Sequence, residues 1–169
     1  MKKSLAYRLA FAGVIGALYA ALSIFGSVFG LTYGPIQLRF AEALTVLPFL
    51  FPETVGGLFV GCFVANLLSP YGVLDMVVGS LATLLAAFLT SRCHHRALAP
   101  LPPVLVNAVF IGALLAWQQT GVGEAFMAAF WYNACSIAVS QALVCYILGL
   151  LLLRWMEKSK FFVQIRKNH

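Results

Sequence analysis

Apolar residues run through this chain in long unbroken stretches, separated by short clusters of glycine, proline and charge. The stretches are too continuous for the alternation of a membrane β-strand, and most are long enough to cross a bilayer as a helix. Six spans are expected, at about residues 5–25, 36–51, 54–69, 73–89, 104–117 and 125–153. The second is the odd one. At 1.5 Å per residue it covers only about 24 Å, short of a hydrocarbon core of roughly 30 Å, and Pro48 lies inside it. Between the first two spans, 27–35 is rich in glycine and holds Phe29 and Tyr33, which predicts an external loop or lid. Pro70-Tyr71-Gly72 predicts a turn, and 91–103 is the most polar connector, with Arg92, His94, His95 and Arg96 ahead of three prolines.

Composition turns this pattern into a class. Of 169 residues, 62% are hydrophobic and only 9% charged, whereas soluble domains carry about 25% charged residues. The expectation is an all-α integral membrane protein, with 1–169 forming a single transmembrane domain and no room for a soluble one. Met1-Lys2-Lys3 ahead of an apolar run resembles a signal peptide, but the run continues past the usual length, so an uncleaved first span is expected. The net charge of +6 does not signal nucleic acid, because the basic residues gather at span ends, where they orient helices. With both termini cytoplasmic, every basic residue except Arg39 flanks the inner face, as the positive-inside rule requires.

That orientation assigns depth to the polar side chains. Arg39 and Glu42, three residues apart on one helix face, fall at the outer rim, as do Asn66, Asp75, Glu124 and Asn133. Asn107 and Gln141 lie deeper, each roughly 20 Å below the outer boundary, and Asn133, Ile137 and Gln141 share a face. The inner half is almost without strong polar groups. The profile describes a cup open to the outside over an apolar seal, with Asn107 and Gln141 as its floor, Arg39–Glu42 as gatekeeper and Trp131 placed to stack on a flat ligand. Alternatives stand beside each: an anchoring ion pair for Arg39 and Glu42, a helix cap for Asp75, a solvated loop for Glu124, interhelical hydrogen bonds for Asn107 and Gln141, and an interfacial aromatic belt for Trp131.

Small residues recur on the first span as Ala12, Gly16, Ala20 and as Gly13, Ala17, Ala21, two adjacent stripes at four-residue spacing. Such stripes admit a close neighbouring helix, either within the bundle or on a partner subunit. Catalytic and ATP-binding signatures are missing: there is no G-x-x-x-x-G-K-[ST], no H-E-x-x-H and no G-x-S-x-G. The cysteines lack paired metal-ligand spacing, and Cys93-His94-His95 sits on a basic connector, so neither metal nor cofactor is expected.

Several blocks together resemble a known family. A small six-span protein without an ATPase, carrying small-residue stripes on its first helix, looks like the substrate-binding S component of an energy-coupling factor (ECF) transporter. More narrowly, the run from Gly34 to Pro48 (GPIQLRFAEALTVLP), Gly57 to Cys62 (GLFVGC), Asp75 to Thr83 (DMVVGSLAT) and Pro103 to Asn107 (PVLVN) are similar to the queuosine-precursor branch. The resemblance implies an S-component-like bundle in a bacterial cell membrane that binds a 7-deazaguanine base, expected to be 7-aminomethyl-7-deazaguanine, from outside. It further implies a membrane scaffold subunit and two ATPase subunits, with the two small-residue stripes as the docking face. Glu42, Asp75 or Glu124 would neutralise the aminomethyl cation. One departure bears on the ligand: Gln141 stands where the family pattern has a Glu, which shifts the expectation toward queuine or a neutral precursor.

Overall fold

The computed structural model describes residues 5–30 and 39–167, with side chains described through Ile165. Most of the expected 27–35 loop and the start of the second span therefore lie outside the described residues. Every described element is helical: α1 (Leu5–Val28), a 3-10 helix (Phe40–Phe49), α2 (Thr54–Asn66), α3 (Gly72–Ser91), a short 3-10 turn (Arg96–Leu98), α4 (Leu101–Thr120), α5 (Phe126–Ala142), a π-helical stretch (Leu143–Gly149), α6 (Leu150–Lys158) and α7 (Lys160–Lys167).

Among the described residues, four helical stretches are long and apolar enough to cross a membrane: Leu5–Val28, Gly72–Ser91, Arg96–Thr120 and Phe126–Lys158. The remaining two expected spans are shorter apolar helices, Phe40–Phe49 and Thr54–Asn66. Phe40–Phe49 falls within the expected second span, and its form has a physical reason. A 3-10 helix rises about 2.0 Å per residue against 1.5 Å for α, so ten residues reach about 20 Å rather than about 15 Å. Pro48 has no N–H to donate back along the helix, and Leu50 N and Phe51 N then both bond to Leu47 O at 2.9 Å, which closes the end.

This 3-10 helix is the central pillar. Every residue from Ala41 to Pro48 is buried, and the segment touches α1, α2, α3, α4, α6 and the π stretch. Around it, α1 packs on α2, α2 on α3, α3 on α4 and α4 on α5. The α1–α2 contact is backbone on backbone: a Cβ placed on Gly57 would lie 2.0 Å from Ala12 O, and one on Gly61 would lie 2.3 Å from Gly16 O. Only glycine permits that approach. On the far side, α5 runs through the π stretch into α6 without a break in helical structure. Gly149 there lets the backbone meet the pillar, with its missing Cβ position 3.0 Å from Val46 Cγ1.

The described part of the basic tail after residue 153 is helical. α6 extends to Lys158 and α7 folds back on the bundle, with Ile165 buried and Phe162 against Phe51 at 6.2 Å between ring centroids. An Arg96–Glu157 ion pair of 2.8 Å ties the 91–103 connector to α6, so these two basic regions share one end of the bundle.

Candidate functional site

Among the described residues, three charged side chains are buried, and all three gather around the pillar: Arg39, Glu42 and Asp75. The pillar's period explains two of them. With three residues per turn, Arg39, Glu42 and Thr45 stack on one line, while Ala41, Leu44 and Leu47 or Ala43 and Val46 occupy the other two faces. Glu42 is only 1% exposed and reaches three helices. Tyr19 on α1 donates its hydroxyl to Glu42 Oε1 at 2.6 Å, Asn107 on α4 donates Nδ2 to Oε2 at 3.3 Å, and Gln141 on α5 flanks the same carboxylate. Below the carboxylate, Thr45 Oγ1 donates to Glu42 O at 2.6 Å and Cys145 Sγ to the same carbonyl at 3.4 Å.

A second polar group adjoins the first. Arg39 Nη2 donates to Asn66 Oδ1 at 3.1 Å, and Asn66 Nδ2 donates onward to Asp75 O at 3.3 Å and to Cys62 Sγ at 3.5 Å. The Asp75 carboxylate accepts from Ser69 Oγ, and Thr83 Oγ1 donates to Cys62 Sγ at 3.2 Å. Gly79 is needed here, because a Cβ on it would lie 2.6 Å from Asn66 Nδ2. Arg39 feels both carboxylates, Glu42 and Asp75, so the two groups form one electrostatic unit.

The structure therefore brings together Arg39, Glu42, Asn66, Asp75, Asn107 and Gln141, and it redraws their arrangement. The vertical separation expected between Glu42 and Asn107 is absent: the two side chains are in hydrogen-bond contact. Helix rise counted along separate helices misses this, because it cannot register one helix against the next. Asn133 is buried on the same face as Ile137 and Gln141, but its Nδ2 is engaged by Gln119 Oε1 at 3.0 Å and Ala129 O at 2.9 Å, joining α4 to α5. Trp131 is 60% exposed and meets Phe130 rather than the polar cluster, and Glu124 lies exposed in its loop. The stacking position expected for Trp131 thus points to the outer surface of the bundle.

Sequence reasoning passed over Tyr19, Cys62, Thr83 and Cys145. The available signal was a tyrosine in the middle of an apolar span, where its hydroxyl needs a partner. Among the described residues, no group of three His, Cys, Asp or Glu side chains is placed to hold a metal.

The small-residue stripes divide cleanly. Ala12, Gly16 and Ala20 are buried against α2, whereas Gly13, Ala17 and Ala21 are exposed. A groove of about 640 Å³ between α1 and α2 is lined by Gly13 and Ala17 of the exposed stripe and by Ala12, Gly16 and Ala20 of the buried one, with Gly56, Val60 and Val64 of α2 and Glu53 beside them.

Comparison with known proteins bears on this architecture. A queuosine precursor transporter, QueT, of Lactococcus lactis subsp. cremoris (strain MG1363) is 34% identical over 84 residues, covering 50% of this chain and 49% of the relative. The match thus spans about half the length of that curated protein. No solved structure matches the chain. The family model described as QueT transporter matches residues 9–158, from the first long helix to the end of α6. On that match the chain, a multi-pass membrane protein with a buried polar cluster at its centre, belongs to the QueT transporter family.

Proposed function

We propose that this chain is the substrate-binding subunit of an ECF-type importer, capturing 7-aminomethyl-7-deazaguanine or a related 7-deazaguanine from outside a bacterial plasma membrane. In this reading 1–169 is one transmembrane domain, both termini are cytoplasmic, and the two short apolar helices complete six membrane segments. A scaffold subunit docks in the α1–α2 groove and two ATPases supply the energy; the chain itself performs no catalysis.

One observation carries the ligand assignment: the charge balance of the buried cluster. With both carboxyl groups ionised, Glu42 and Asp75 exceed Arg39 by one charge, and residues 31–38 contain no Asp, Glu, Lys, Arg or His to offset it. An uncompensated charge in an apolar bundle is expensive, so the site favours a ligand that brings a cation. The aminomethyl group supplies one, and the ring's donor–acceptor edge suits the amides of Asn66, Asn107 and Gln141. Gln141 in place of an acid does not disfavour a cation here, because Glu42 stands beside it.

The test is calorimetry on the purified protein in nanodiscs, with the aminomethyl and cyano bases, guanine and queuine. The aminomethyl base is expected to bind most tightly; equal affinity for the cyano base refutes the charge argument. Uptake into liposomes is expected only with scaffold, ATPases and ATP. Uptake by the lone chain would make it a stand-alone carrier instead.

A further inference from the structure

Tyr19 stands outside every ligand-binding assignment drawn from the sequence, yet it makes the shortest contact to the buried carboxylate. Its ring is 1% exposed, packed in the core between α1 and the pillar, and its hydroxyl donates to Glu42 Oε1 at 2.6 Å. The other oxygen, Oε2, is held by Asn107 at a longer 3.3 Å. The carboxylate is thus gripped unequally: Tyr19 holds one oxygen at short range, while Asn107 holds the other at longer range and Gln141 flanks the group. Short hydrogen bonds to a carboxylate are the strong ones, and a loosely held oxygen is the one an incoming group can take over.

We infer that Tyr19 is a positioning residue for cation recognition, locking Glu42 Oε1 so that Oε2 faces the ligand's ammonium group. The inference rests on the ligand reading above. The groups around this carboxylate are Tyr19 from α1, Arg39 at the head of the pillar, Cys62 from α2, Asn107 from α4, and Gln141 and Cys145 from the last helix. Tyr19 is the side chain of α1 that donates to Glu42. The α1 backbone beside it is fixed by the contact of Gly16 with Gly57 and Gly61, so the hydroxyl cannot follow a moving carboxylate. Rigidity at that point is what a positioning role demands.

The test is a double-mutant cycle of Tyr19→Phe and Glu42→Gln, read by calorimetry with the aminomethyl base and the cyano base as paired probes. Tyr19→Phe keeps the ring and removes only the donor. It is expected to weaken the aminomethyl base about tenfold and the cyano base less than about twofold, with a modest fall in thermal stability from the Glu42 oxygen left without its donor. In the Glu42→Gln background, Tyr19→Phe is expected to have no further effect, because it acts through the carboxylate. Equal loss for both bases, or additive losses in the double variant, would assign Tyr19 a packing role and overturn the inference while leaving the ligand reading intact. Failure of the wild-type protein to prefer the aminomethyl base would overturn both.

Discussion

Gly57→Ala, on α2, presses on the buried stripe of α1, and Gly13→Leu alters the adjacent exposed stripe, so the pair separates the bundle's own packing from the proposed docking surface. An alanine Cβ at Gly57 would sit 2.0 Å from Ala12 O, 2.7 Å from its carbonyl carbon and 3.2 Å from its Cα. All three atoms are backbone, so no side chain can swing away, and the helices must part by more than about an ångström to restore ordinary contact. Overpacking in a close-packed interior costs about 1–3 kcal/mol, and a rigid backbone obstacle belongs at the upper end. The separation also moves α1, and with it Tyr19, away from Glu42. Gly57→Ala is therefore expected to destabilise the protein by about 3 kcal/mol and to weaken ligand binding. At Gly13, by contrast, an added Cβ meets nothing within 4 Å. Gly13→Leu should leave stability within about 0.5 kcal/mol and ligand affinity unchanged, while filling the groove and abolishing co-purification with the scaffold subunit. Denaturation in detergent, ligand calorimetry and pull-down with the scaffold measure the three quantities. Unchanged stability in Gly57→Ala would refute the close-packing argument. Loss of stability in Gly13→Leu comparable to that of Gly57→Ala would show that the exposed stripe is internal packing.

Glu42→Gln is expected to weaken the aminomethyl base at least a hundredfold in calorimetry, because it removes the excess negative charge and leaves Tyr19 facing an amide. Asn107→Ala and Gln141→Ala should each lower affinity about tenfold while co-purification with partner subunits persists. Trp131→Ala, on the outer surface, should change affinity by less than about twofold in the same titration. Arg96→Ala breaks an ion pair whose side chains are 41% and 28% exposed, and is expected to cost less than about 1 kcal/mol in a denaturation measurement.

The helical class and the positions of the long spans were legible because continuous apolar runs leave a bilayer helix few alternatives. That Arg39, Glu42, Asp75, Asn107 and Gln141 are buried with partners was legible for a related reason: polar groups in such runs are expensive and need partners. Their mutual contacts were not. Depth counted along each helix placed Glu42 at a rim, because the count assumed α-helical rise and a common starting plane, and neither holds for a 3-10 helix ending at Pro48. Of the two readings open for Trp131, the exposed position fits the aromatic belt rather than stacking, a choice that depth along the helix alone does not make. The stripes on α1 were seen but could not be apportioned until Gly57 and Gly61 showed which of them the bundle consumes.

The 3-10 form of the pillar is what reconciles a buried charge cluster with an apolar bundle. In an α-helix three residues advance about 300°, so Arg39, Glu42, Thr45 and Pro48 would fan apart by about 60° at each step. By Pro48 the line would have turned half-way round the helix, into the faces now filled by Leu44, Leu47 and Val46. With three residues per turn the fan closes, and the polar line stays on one edge. Glu42 then meets Tyr19, Asn107 and Gln141, and Thr45 lies against Cys145 one turn below, while the other two faces remain wholly apolar. The π stretch opposite, Leu143–Gly149, supplies the matching surface: Cys145 closes on Glu42 O and Gly149 admits Val46. Two uncommon helical forms packed against each other thus put Glu42, Thr45 and Cys145 on a single seam, and Asn66, Asp75 and Thr83 adjoin it from α2 and α3, so the charged groups of the core stay together while the other two faces of the pillar remain apolar.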